Sequence, residues 1–180
     1  MRTCVFFDRD GIVNVSPGPG YVERWEDFHL QDGFVNALAV CRGKGYDAVI
    51  VTNQRGIARG IVAEETVVDM HARLRRLLRE KHRLEILDVL YCPHHAGSCA
   101  CRKPKPGMLL EAARRHDIDL AASWMIGDSL RDIQAGRAAG CRTILVGEAA
   151  DGAAEADEWV PEMDELAEVL ERVLGAPEKV

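Results

Sequence analysis

Asp8 and Asp10 stand two residues apart in Val5-Phe6-Phe7-Asp8-Arg9-Asp10-Gly11. Thr3 to Phe7 is an apolar, β-forming run, which predicts a strand buried on both faces. Side chains alternate along a strand, so the two carboxylates leave its end on one side, a few ångströms apart. Like charges that close need a cation or a proton between them. At the C-terminal end of a central strand in an open α/β sheet, such a pair sits where ligands bind. The competing reading is two solvated turn aspartates, and the other candidates weigh against it.

Thr52-Asn53-Gln54-Arg55-Gly56 follows a second apolar run with hydroxyl and amide donors that lead into a glycine-punctuated loop. Such a segment can wrap a phosphate with backbone N–H groups while Thr52 adds a side-chain donor. Arg102-Lys103-Pro104-Lys105-Pro106-Gly107 is a cationic turn stiffened by its prolines. In Gly127-Asp128-Ser129-Leu130-Arg131-Asp132, Ser129 and Asp132 have capping-box spacing and simply start a helix. That accounts for Asp132 and leaves Asp128 as a third carboxylate at a strand end. A phosphate ester repels an attacking carboxylate, so Mg²⁺, held by one or two carboxylates, must bridge the two. Lys103 and Thr52 would neutralise the other phosphoryl oxygens as charge builds in the transition state.

A second metal is written into Cys92-Pro93-His94 and Cys99-Ala100-Cys101. Three thiols and an imidazole in one short loop, 92–101, suffice for a tetrahedral Cys₃His zinc site, with His95 competing against His94. Cys101 directly precedes Arg102 and Lys103, so the zinc would fix the backbone that aims both cations. Cys4, Cys41 and Cys141 fall in apolar elements and read as inert core residues. His71, His82 and His116 fall on helices, as surface or satisfied, partly buried groups.

Positioning these residues requires strands that alternate with helices. Phe34, Leu38 and Cys41 recur at helical spacing before Gly43 and Gly45. Asp47 to Thr52 is a second strand and Ala63 to Lys81 an amphipathic helix, whose Arg73, Arg75, Arg76 and Arg79 form a solvated face. Further strands are expected at Ile86–Tyr91, Trp124–Ile126 and Arg142–Val146. Helices are expected at Gly107–His116, Ser129–Ala139 and Met163–Leu174, the last preceded by a short apolar piece, Trp159-Val160. Between Asn14 and Gln31 the chain is polar and turn-rich, and Ser16–Gly20 is neither helix nor central strand. The alternation predicts an α/β fold, three layers around a doubly wound, mostly parallel sheet. No segment is long enough for a separate cap domain, so Ser16–Tyr21 and the zinc loop are expected to wall an open site.

At 180 residues, 29% charged and 47% hydrophobic, the chain reads as one domain, 1–180. A net charge of −6 offers no electrostatic footprint for nucleic acid. No apolar run is long enough to span a bilayer, and Asp8 interrupts the N-terminus too early for a signal peptide. The expectation is a cytoplasmic, monomeric protein whose six cysteines are not a disulfide framework.

Asp8-Arg9-Asp10-Gly11, Thr52-Asn53-Gln54, Arg102-Lys103-Pro104 and Gly127-Asp128, in this order and at strand ends, resemble the haloacid dehalogenase (HAD) superfamily of aspartate-nucleophile phosphatases. Gly56–Gly60, Tyr91–His95, Cys101–Pro104 with Pro106-Gly107-Met108, and Ala156–Val160 are similar to its D-glycero-D-manno-heptose 1,7-bisphosphate 7-phosphatases. The likeness runs over nearly the whole chain. It implies Asp8 as the nucleophile that forms an aspartyl-phosphate and Asp10 as general acid and base. It implies Mg²⁺ on the Asp8 side chain, the Asp10 backbone carbonyl and Asp128, and a structural zinc on Cys92, His94, Cys99 and Cys101. Thr52 and Lys103 would hold the phosphoryl group, with Asn53, Gln54, Arg55 and Arg102 against a sugar bisphosphate. Arg55 and Ser129 depart from the family pattern, where a small residue and, in some members, a Lys stand.

Arg102 precedes Lys103 and is expected to project away from it, so that either Arg102 or Arg55 could grip a distal phosphate. The nearest rival is histidinol-phosphate phosphatase, whose cationic substrate suits Arg55 and Arg102 poorly. A DNA 3′-phosphatase conflicts with the acidic net charge. A non-enzymatic scaffold would require a lost catalytic group, and none of the four is missing.

Overall fold

The computed structural model describes residues 1–148 and 155–175. Six parallel strands form one sheet in the order β3-β2-β1-β4-β5-β6, with β1 Cys4–Phe7, β2 Asp47–Asn53, β3 Asp88–Cys92, β4 Trp124–Gly127, β5 Arg142–Val146 and β6 Glu158–Val160. The expected part of domain 1–180 that falls at 149–154 and 176–180 lies outside the described residues.

The strands alternate as a sheet covered on both sides demands. Val5 and Phe7 of β1, with Ala48 and Ile50 of β2, face one core, and Cys4 and Phe6, with Val49 and Val51, face the other. Helices α1 (Asp32–Gly43), α2 (Glu64–Leu77) and α5 (Leu166–Val173) cover the first face. Helices α3 (Gly107–His116) and α4 (Leu130–Ala139) cover the second. This is the expected three-layer, doubly wound arrangement, and no inserted cap stands over it among the described residues. The chain order reverses between β1 and β4, which lie side by side in the centre. A crevice opens at the carboxyl ends of neighbours whose crossovers leave in opposite directions. Asp8 and Asp128 follow those two strands directly.

Several boundaries differ from the pattern reading. Trp159-Val160 pairs with Leu145-Val146 and becomes a sixth, edge strand, too short for alternation to declare it. The long amphipathic helix stops being α-helical at Leu77 and continues as a π-helical turn, Leu78–His82, before Arg83 turns left-handed at φ 59°. Asn14–Gln31 is irregular as expected, apart from a 3₁₀ turn at Trp25–Asp27 and bridges from Asn14 to Asp10 and Leu30. Among the described residues, no helix is long and apolar enough to cross a membrane.

Candidate active site

Asp8 leaves β1 with its N–H donating to Ile126 O (2.9 Å), which ties the first residue of the loop to β4. Its Oδ1 accepts from the Arg9 N–H at 2.7 Å and lies 2.8 Å from Lys103 Nζ. Gly11 then adopts φ +94°, and a Cβ there would overlap the Asp128 carboxylate. The glycine is therefore required twice, for its left-handed backbone and for the close approach of a carboxylate from β4. Gln31 fixes the turn from behind, since its Nε2 donates to Gly11 O and Ile12 O at 2.9 and 3.1 Å.

Lys103 is buried, and its ammonium sits between two carboxylates. Nζ lies 2.8 Å from Asp8 Oδ1 and 2.7 Å from Asp132 Oδ1, and donates to Val51 O at 2.8 Å. Burial acts to lower its pKa, but Asp132 and Asp8 outweigh it and the group stays raised, hence cationic. Asp132 corrects the sequence reading. The capping box exists, with Ser129 N and Oγ donating to Asp132 Oδ2 at 3.2 and 2.6 Å, yet the other carboxylate oxygen faces Lys103. The side chain is fully buried. One carboxylate caps a helix and neutralises a lysine, and the cap alone does not explain it. A buried lysine's need for counter-charge is the signal that could have found it.

Asp8, Asp128 and Asp132 present carboxylate oxygens within 4.8 Å of one another. Burial first, then the charge of Asp132, push Asp8 up to about 8 against the pull of Lys103. Asp128 is exposed to solvent on one side, and the protein wall behind it, with Asp132, still pushes it up to about 6. Carboxylates crowded until they resist ionisation are what a divalent cation relieves, and the oxygen-only donor set suits Mg²⁺.

The remaining residues divide by where their side chains go. Thr52, Asn53, Arg55, Arg102 and Lys103 line a cavity of about 320 Å³ together with Asp8, Asp10, Asp128 and Arg131. Asn53 clamps the cationic turn to β2, with Nδ2 donating to Lys103 O and Oδ1 accepting from Lys103 N, both at 3.1 Å. Gln54 does not line the cavity. It is buried, and its Nε2 donates to Asp10 Oδ2 (3.1 Å) and Thr52 Oγ1 (2.9 Å). Arg102 and Lys103 both line this cavity, in a bend and turn where strand alternation no longer applies. Arg55 Nε and Arg102 Nη1 are buried and have no hydrogen-bond partner among the described residues. Ser16–Tyr21 forms one wall as expected, whereas no residue of the Cys92–Cys101 loop lines the cavity, and its continuation, Arg102-Lys103, does.

In that loop, Cys101 Sγ lies 3.0 Å from Cys92 Sγ and 3.4 Å from Cys99 Sγ, and His94 Nδ1 lies 3.4 to 3.6 Å from Cys101 and Cys92. Sulfurs bound to one tetrahedral zinc stand roughly 3.8 Å apart, given a Zn–S bond of about 2.3 Å. The four donors are gathered closely enough to fit, and His94 rather than His95 completes the set.

A family model described as "HAD-hyrolase-like" matches residues 100–173. The D-glycero-beta-D-manno-heptose-1,7-bisphosphate 7-phosphatase of Photorhabdus laumondii is 44% identical over 140 residues, 73% of each chain. The protein of the same name from Pseudomonas putida is 37% identical over 175 residues, 94% of this chain and 98% of that one. The crystal structure of D,D-heptose 1,7-bisphosphate phosphatase from B. bronchiseptica, complexed with magnesium and phosphate, superimposes with a TM-score of 0.82 at 33% identity. That match covers 96% of this chain and 99% of the other. This chain belongs to the HAD-like hydrolases, in the family of these heptose bisphosphate phosphatases, and is a phosphomonoester hydrolase.

Proposed function

We propose that the protein, a single domain over 1–180 acting as a cytoplasmic monomer, removes the 7-phosphate of D-glycero-D-manno-heptose 1,7-bisphosphate through an aspartyl-phosphate on Asp8. The observation that carries this reading is Asp8 itself, a carboxylate at the end of a central strand beside Lys103, at a cavity that Arg55 and Arg102 also line. Asp8 Oδ attacks the 7-phosphorus and the P–O7 bond breaks. Asp10 delivers a proton to O7, then takes one from the water that hydrolyses the acyl phosphate, which frees inorganic phosphate and Asp8. Lys103 and Thr52 stabilise the phosphoryl oxygens as charge moves onto them. Asp8, Asp128 and the Asp10 backbone carbonyl would hold Mg²⁺, which when bound screens the carboxylate from the anionic ester. Zinc on Cys92, His94, Cys99 and Cys101 would be structural and fix the approach of Arg102-Lys103.

Arg102 and Arg55 support a substrate with a second anionic group, since a guanidinium fork matches phosphate oxygens. They disfavour the cationic amino alcohol of histidinol phosphate. The relatives are named for the β anomer, and we extend that preference to this chain. Phosphate release with Mg²⁺ from the two bisphosphate anomers, heptose 7-phosphate and histidinol phosphate is the test. Fastest turnover is expected for the β-bisphosphate, and a greater kcat/KM for histidinol phosphate would reverse the assignment.

A further inference from the structure

Arg9 stands between the two aspartates, and its side chain is fully buried. A guanidinium in that position is costly unless it is paired. Its Nε donates to Asp10 Oδ1 at 3.1 Å, and Nη2 donates to Oδ1 and Oδ2 at 2.9 and 3.0 Å, a fork that holds the carboxylate plane. Asn14 Nδ2 adds a donor to Oδ1 at 3.0 Å and Gln54 Nε2 one to Oδ2 at 3.1 Å. Both oxygens are gripped from the protein side, and 26% of the Asp10 side chain remains exposed toward the cavity.

Arg9 is itself held. Its Nη1 lies 3.3 Å from Nε2 of His71 on α2, and its Cζ stands 5.8 Å from the centre of the Phe28 ring. Arginine has only donors, so His71 Nε2 is the acceptor and the imidazole is neutral with its proton on Nδ1. Burial and the Arg9 charge both keep it neutral, far below the ordinary histidine range. His71 is buried on the face of α2 that packs against the sheet, beside Val67, Met70 and Leu74.

We propose that Arg9 is a positioning residue that aims Asp10 at the leaving-group oxygen, and that His71 holds Arg9, so that α2 takes part in setting the proton donor. This rests on the reading of Asp10 as proton carrier. Neither Arg9 nor His71 lines the cavity, so neither has a direct path to substrate. Their effect must pass through Asp10. The step in which Asp10 activates water is common to all substrates and enters kcat, whereas kcat/KM ends at loss of the leaving group. In kcat/KM, therefore, only substrates that need a proton donor should register it. An alkyl phosphate such as the heptose ester needs one, and p-nitrophenyl phosphate does not.

The experiment measures kcat and KM on both substrates for Asp10→Asn, Arg9→Lys, His71→Leu and His71→Gln, each checked for a cooperative melt. Arg9→Lys keeps the charge but loses the fork, and should lower kcat/KM on the sugar phosphate by about ten- to hundredfold. Its kcat/KM on p-nitrophenyl phosphate should change less than about threefold. His71→Leu should shift the same ratio in the same direction more weakly, and His71→Gln, whose amide oxygen can accept from Arg9, should restore it. Should Arg9→Lys fail to fold, the Leu and Gln variants at position 71 decide alone. Equal loss of kcat/KM on both substrates, or no loss, would overturn the proposal. If Asp10→Asn itself shows no dependence on the leaving group, the proton-carrier reading falls and takes this inference with it. If Asp10→Asn discriminates and the Arg9 and His71 variants do not, this inference alone fails.

Discussion

Replacing Lys103 by Met removes a buried cation while keeping most of the side chain's length and volume. The ammonium lies 2.8 Å from Asp8, 2.7 Å from Asp132 and 2.8 Å from Val51 O, and its side chain is 1% exposed. Without it, two carboxylates face each other in a site that water reaches poorly. Breaking a buried ion pair from one side costs about 3–5 kcal/mol, and Lys103→Met should lose that much by urea unfolding without added Mg²⁺. Asp132→Asn removes the second charge, and the amide can still accept at the helix cap. The double variant should then be more stable than the sum of the single losses by about 1 kcal/mol or more. Activity should separate from stability. Lys103→Met is expected to lower kcat by roughly 10²–10³, the size of one lost transition-state donor, and Asp132→Asn should not recover it. Additivity of the two unfolding free energies within about 0.5 kcal/mol, at unchanged denaturant slope, would refute the argument that Lys103 neutralises this carboxylate pair.

Arg102→Ala should impair the 1,7-bisphosphate by about ten- to hundredfold in kcat/KM, the worth of one charge-assisted contact, and heptose 7-phosphate far less. A common factor on both substrates would mean that Arg102 does not read the distal phosphate. Protein purified without added metal should contain one zinc per chain by elemental analysis, and Cys101→Ser should lower activity by displacing Lys103 more than it disturbs the sheet. Finding no zinc rules this out. His71 is pushed down to about 3, by burial and then by Arg9. The unfolded chain therefore takes up this proton near pH 6.5, before the folded one does. The contribution is full above that pH and falls by about 1.4 kcal/mol per unit between roughly pH 6.5 and 3. His71→Gln should show a shallower loss of stability on acidification, and parallel curves would contradict the buried neutral imidazole.

Much of the candidate site is legible in the sequence because its residues sit at strand ends, where local pattern and chemistry coincide. The apolar run before Asp8-Arg9-Asp10 declares a buried strand, and the strand's end declares where the carboxylates go. Cys92, His94, Cys99 and Cys101 are close in sequence, so spacing alone gathers them. The residues misread were those whose partners are distant in sequence. Asp132 has a sufficient local explanation as a cap, and its second partner is Lys103 of the β3–α3 connection. Gln54 sits in a donor-rich motif that suggests substrate, yet its side chain turns back to Asp10 across 44 positions. Arg9 offered no signal, because alternation says that it points away from its neighbours and not what it meets.

By itself, the sequence determined the layered α/β class, the parallel sheet, the nucleophile candidate and the candidate zinc donors. Each follows from periodicity or from short-range spacing, which depend on backbone geometry common to all chains. Only the tertiary structure decided that β1 and β4 are neighbours, and so that Asp128 reaches Gly11. It also decided that Lys103 is sandwiched between Asp8 and Asp132, and that Arg9 is sealed under Asp10 by His71. The physical reason is desolvation. A charge in water tolerates many partners, whereas a buried charge must find a particular one, and which residues are buried together is set by packing across the whole sheet.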